Sequence, residues 1–200
     1  MTPVMHDMTF TARIEQFAAV LQRCRVSAGA GVPFELEAGL LAVKHVLAEA
    51  RAHRAAVYII GNGGSAAIAS HAVNDLINGA KLRAATIHDP SLLTCMSNDY
   101  GYENAYAKIL AQLALRGDVL IAISSSGRSM NIRNAAAQVR AGGGTVITLS
   151  GFAHDNPLRV LGDLNIWLDS SDYGVVEVGH QFVLHNLSDR LCDAAREPAP

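Results

Sequence analysis

The chain of 200 residues has no uninterrupted apolar stretch near the roughly 20 residues that cross a bilayer. Its first residues, "MTPVMHDMTFTARIEQ", lack an apolar run flanked by positive charge. Neither a membrane span nor a secretory leader is expected, and the chain reads as cytoplasmic. Aromatic residues make up only 6%, Lys and Arg form no basic stripe, and the net charge is −2, which argues against a nucleic-acid partner. Cysteine is also sparse: Cys24, Cys95 and Cys192 are odd in number and make no CxxC pair, so reduced thiols are expected instead of a disulfide framework. A Walker lysine is missing too. The loop "GNGGSAA" has glycines without the GK[ST] that holds β- and γ-phosphates and magnesium, which makes a P-loop unsuitable.

What is present is a half-apolar composition, large enough to bury one core, so a single domain over 1–200 is expected. Phe10, Ile14, Phe17, Ala18 and Leu21 fall on one face of a helix running to about Ser27, where "SAGAGVP" stops it. Leu36, Leu40, Val43, Leu47 and Ala50 mark a second helix, with Pro33 near its start. The two make a helical hairpin over 1–54. Its apolar faces must be covered by the sheet or by another subunit, so a homo-oligomer is expected. From 55 to 195, "AAVYII", "AATIH", "DVLIAIS", "GTVITLS" and "LNIWLD" read as strands, and segments near 65–79, 103–115, 129–142 and 175–195 as helices. Continuous apolar runs suit strands buried on both faces. The fold class is therefore α/β, a parallel sheet between helical layers, and the tail "REPAP" is expected to fray.

In such sheets ligands bind beyond the carboxyl ends of the strands. Two loops there stand out. Gly61, Gly63 and Gly64 let backbone N–H groups approach an anion, with Ser65 at a helix amino terminus, and "SSSGRS" (124–129) repeats the arrangement after the next long strand. Ser129 is placed to cap the helix that follows. Glycine and serine also serve turn geometry and capping, so one such loop decides nothing, but two in one sheet favour a phosphate. Hydroxyl-rich loops without a lysine suit a sugar phosphate. Gly61, Gly63 and Ala66 formally satisfy the dinucleotide pattern GxGxxG/A, but the ribose-binding acid would have to be Asp89 and "SSSGRS" would have no role.

His71 and Asp75 are one helical turn apart on one face, a spacing that suits a metal pair or acid/base chemistry. On the last helix Glu177, Gln181 and His185 follow at four-residue steps with His180 beside them, opposite an apolar side carrying Val175, Val178, Phe182 and Leu187. Singly these read as a solvated face plus a core histidine; as a set they favour function. His45, His53, His88 and His154 lack such company, and Asn98-Asp99 alone reads as a turn.

Together, "GNGGSAAIASHAVND", "SNDYGYENAYA", "GDVLIAISSSGRSMNI", "GGTVITLSG" and the final Glu/His spacing resemble the SIS (sugar isomerase) domain family, specifically its phosphoheptose isomerase branch. The resemblance implies a three-layer, flavodoxin-like sandwich with a five-stranded parallel sheet, a homotetramer, and aldose–ketose isomerisation of sedoheptulose 7-phosphate. It implies substrate contacts at Asn62, Gly63, Gly64, Ser65, Asn98 and Asp99. A phosphate loop is implied at Ser124, Ser125, Ser126 and Ser129. The family's helical carboxylate and terminal histidine, base and acid of the reaction, fall on Asp75 and His185. The family's four zinc-binding positions fall on His71, Asp75, Glu177 and His185. The family has Glu where this chain has Asp75, and Gln where it has Glu177, so Glu177 is a second candidate base and Zn²⁺ a candidate cofactor. Arg128 would add charge beside the phosphate. The alternative is a non-catalytic SIS module that binds a phosphosugar or a replication initiator.

Overall fold

The computed structural model describes residues 8–29 and 31–196; the last four residues of the tail expected to fray lie outside them. The chain runs α1 (Phe10–Gln22), β1 (Arg25–Ala28), β2 (Val32–Pro33), α2 (Leu36–Ala52), β3 (Ala56–Ile60), α3 (Gly64–Asn78) and β4 (Arg83–Ala85). It continues through α4 (Pro90–Tyr100), α5 (Tyr102–Leu113), β5 (Val119–Ser124), α6 (Met130–Ala141), β6 (Thr145–Ser150), β7 (Leu164–Trp167) and α7 (Tyr173–Arg196).

The five runs read as strands form the parallel part of one sheet, in the order β7-β6-β5-β3-β4. Every residue of β5 is buried, as its unbroken apolar run requires. Successive side chains point to opposite faces and feed two cores. Ile59 and Ile121 join Leu47, Leu76 and Leu187 of α2, α3 and α7, while Ile60 and Leu120 join Tyr106 and Ile132 of α5 and α6.

The sheet is two strands wider than expected. The first helix stops at Gln22, and Arg25–Ala28 pairs antiparallel with both β7 and β2, so a β-hairpin interrupts the helical hairpin. "RVSA" has one β-branched residue and little strand preference of its own. The open edge of β7 recruits it, and Val26 is buried in exchange. The Asn98-Asp99 pair, read as a turn, lies in helix α4, whose start Asp89 caps by accepting from the Leu92 N–H at 2.9 Å. No residue of α4 is buried, so no apolar periodicity announced it.

On α7, Val175 and Leu187 are buried as expected, but Val178 and Phe182 are exposed, and Val183, Leu184 and Leu191 complete the inward side. Phe10 and Ile14 of α1 are exposed as well. Arg13 of α1 donates to Asp172 at 2.6 Å, and Asp172 also accepts from the Val175 N–H, which ties α1 to the start of α7.

Candidate active site

Because β3 and β5 are neighbours, the glycine loop and the serine loop leave the sheet side by side. They enclose a cavity of about 270 Å³, lined by Asn62, Gly63, Gly64 and Ser65 from the first loop and Ser124, Ser125, Ser126 and Ser129 from the second. Tyr173 and Glu177 of α7 close it. Gly63 has φ +55°, a conformation that favours glycine. Neither α3 nor α6 has a side-chain cap. Ser129 occupies the N-cap position of α6, but its hydroxyl faces Ser124 Oγ at 3.5 Å and caps nothing, contrary to the sequence expectation. Two uncapped helix amino termini therefore offer free N–H groups and favourable dipole ends to one cavity. The buried Ser125 hydroxyl also has no partner of its own.

Both loops are braced. Asn156 donates to the carbonyls of Ser125 (2.9 Å) and Gly151 (2.8 Å), and its side chain fills the space a Cβ would need at Gly127. Asn62 donates to Asn131 Oδ1 at 3.0 Å, Asn131 donates back to Asn62 Oδ1 at 2.9 Å, and the Tyr102 hydroxyl donates to the same oxygen at 2.8 Å. The carbonyl oxygen of Asn62 is thus committed inside the protein. Sequence reasoning missed Asn131, Tyr102 and Tyr173. Only Tyr173 carried a signal, four residues before Glu177 on the same helix face.

Glu177 presses its carboxylate against the start of α3: a Cβ on Gly64 would lie 2.5 Å from Glu177 Oε2. His71, Asp75 and His185 form a separate group, with ligand atoms within 4.8 Å of one another. The two Nε2 atoms of His71 and His185 face each other at 3.0 Å. Asp75 Oδ2 lies 3.2 Å from His185 Nδ1 and 3.6 Å from His71 Nε2, yet it is buried and aligned for a hydrogen bond with neither. Two imidazoles and a carboxylate with an orphaned buried oxygen are a donor set that fits a metal ion. The expected set of four assembles here as three, because Glu177 is drawn to the serine cavity.

His180 belongs to neither group. It is fully buried, donates from Nε2 to the Ser150 carbonyl at 3.0 Å, and is pushed down to about 4 by burial. Asn98 and Asp99 are exposed at the end of α4, bonded to each other at 3.0 Å, and do not line the cavity. Arg128 lines an adjoining cavity of about 570 Å³ that shares Ser126 and Tyr173 with the first. Asp89, the acid a dinucleotide would need, is engaged as the cap of α4.

A family model described as SIS domain matches residues 32–151. A phosphoheptose isomerase of Geotalea daltonii is 34% identical over 163 residues, which span 78% of this chain and 84% of that protein. One of Geobacter sulfurreducens is 32% identical over 161 residues, spanning 78% and 85%. The solved phosphoheptose isomerase of Neisseria gonorrhoeae superposes with a TM-score of 0.80 at 23% identity, covering 92% of this chain and 96% of that one. The one from Francisella tularensis gives 0.78 at 24%, covering 94% and 100%. The structural matches speak for the fold, and the sequence matches for kinship. The chain belongs to the SIS domain family, in its phosphoheptose isomerase branch.

Proposed function

We propose that this protein is a phosphosugar aldose–ketose isomerase interconverting sedoheptulose 7-phosphate and D-glycero-D-manno-heptose 7-phosphate. The observation that carries the reading is the cavity where two uncapped helix amino termini and four serines meet the carboxylate of Glu177. The phosphate end of the sugar sits in that cradle. Isomerisation moves a proton between C1 and C2 through an enediol and a second proton between their oxygens. Glu177, the carboxylate on the cavity wall, is the base for the carbon-bound proton. His185, with Nδ1 3.2 Å from Asp75 Oδ2, serves the oxygens when no metal is bound. His71, Asp75 and His185 would hold Zn²⁺, which when bound supplies Lewis-acid polarisation of a substrate oxygen. Asn62, Gly63, Gly64 and Ser65 position the sugar.

The subunit is proposed to work as a homo-oligomer, a tetramer as in the family resemblance. Exposed Phe10, Ile14, Val178 and Phe182 support this, and Asn98 and Asp99, which do not line their own cavity, would reach a neighbour's. A cytoplasmic setting agrees with three free cysteines and with the finding that no described helix is long and apolar enough to cross a membrane. A non-catalytic binding module would need no acid/base group, so the assembled His71, Asp75 and His185 favour the enzyme. The test is incubation of purified protein with sedoheptulose 7-phosphate, followed by NMR of the aldose product. Absence of product both with and without added Zn²⁺ would overturn the assignment.

A further inference from the structure

A cavity of about 670 Å³ lies between the β1–β2 hairpin and the irregular segment after β6. It shares no lining residue with the serine cavity. Arg25 and Arg159 line it, and their guanidinium carbons lie 5.5 and 4.6 Å from the ring centroid of Trp167. His154 meets the same ring edge-on at 5.7 Å. Arg25 pairs with Trp167 across β1 and β7, so the two side chains share one face of the sheet.

Two guanidiniums are thus gathered at one indole without a counter-charge. The arginine–carboxylate pairs among the described residues involve Arg13, Arg140 and Arg190, and neither Arg25 nor Arg159. Asp155, the one acid on the lining, is exposed and forms no ion pair with either. Burial, with the charge of Arg25, lowers the basicity of Arg159, the direction expected for a cation awaiting an anion. Other donors stand idle as well. Ser27 lines the cavity, and its Oγ and the neighbouring Trp167 Nε1 are buried without partners among the described residues, in residues 3% and 2% exposed; such orphaned groups call for a ligand or water.

We propose that Arg25 and Arg159, with Ser27, His154 and Trp167 around them, form a second anion site for a phosphate or diphosphate group. Arg159 donates one guanidinium N–H to the His154 carbonyl at 2.9 Å, which holds it on this segment; the polar groups not so engaged are predominantly donors, and both guanidiniums are planar forks suited to paired oxygens. The site is mechanically connected to the serine loop: Asn156, between His154 and Arg159 in the chain, holds the Ser125 carbonyl from behind. An anion that orders this segment acts on the brace of the substrate cradle.

Trp167 is the only tryptophan, so its fluorescence reports on this site. Titration of the purified protein with inorganic pyrophosphate is expected to change the indole emission saturably. Arg25→Ala and Arg159→Ala should each weaken the apparent affinity at least tenfold, while Ser129→Ala, in the other cavity, should leave the titration unchanged. Circular dichroism checks that each variant is folded; if Arg159→Ala is not, Arg159→Lys and Arg25→Ala decide. An unresponsive wild-type indole would overturn the proposal. So would folded arginine variants that titrate like the wild type, or a response lost on Ser129→Ala alone.

Discussion

The side-chain amides of Asn62 and Asn131 lie face to face, each donating to the other's oxygen, and so tie the loop after β3 to the helix after β5. Asn131 is buried at 2% exposure, so Asn131→Ala leaves the Asn62 donor unmatched at the cavity edge. A loss of about 1–3 kcal/mol is expected in urea unfolding. KM for the sugar phosphate should rise more than kcat falls, because the change loosens the cradle without touching Glu177.

Gly64→Ala adds a methyl group where the Glu177 carboxylate now sits. Alanine suits a helix better than glycine, so thermal unfolding should change little. Displacing the base by about 1 Å should cost on the order of a hundredfold in kcat. An unaltered kcat would show that Glu177 is not the base.

The proposed metal group and the proposed base are separable. After loading with Zn²⁺ and desalting, elemental analysis should find the metal lost from His71→Ala and Asp75→Asn but retained by Glu177→Gln, which should nonetheless lose turnover. Loss of zinc from Glu177→Gln would make Glu177 a ligand.

His180 sets an acid limit on stability. Burial holds it near 4 against an ordinary value of 6.5, so below pH 6.5 the unfolded chain takes up a proton that the folded chain refuses. Its contribution is complete above pH 6.5 and falls by about 1.4 kcal/mol per pH unit on the way down to pH 4. His180→Asn can still donate to the Ser150 carbonyl and cannot titrate. Its stability curve, measured by urea unfolding from pH 4 to 7.5, should lack that slope.

Phe182 and Ile14 are both about half exposed in the single chain. If copies of the chain cover them, Phe182→Glu should shift the protein to a smaller species in light scattering after size exclusion. An unchanged mass would place the subunit interface elsewhere.

The parallel sheet and the two loops that leave it side by side were legible because each is local: an unbroken apolar run such as "DVLIAIS", then glycine or serine where a helix must start. β1 was hidden because "RVSA" becomes a strand only by pairing with β7. The His71–Asp75 pair follows from helical spacing, and His185 joined it by resemblance. Nothing local, however, could direct Glu177 to Gly64 and away from that group, since the choice depends on how α7 packs against α3. Asn131 and Asn156 escaped notice for a related reason, because their partners are far away in sequence.

The cradle proposed for the phosphate consists of backbone amides and serine hydroxyls at the starts of α3 and α6. None of these groups gains or loses a proton in the physiological range. The pH dependence of substrate capture is then set largely by the ligand, whose phosphate takes its second negative charge at about pH 6. As conditions turn more acidic the grip slackens because the sugar phosphate has changed, while the amides and hydroxyls that hold it have not.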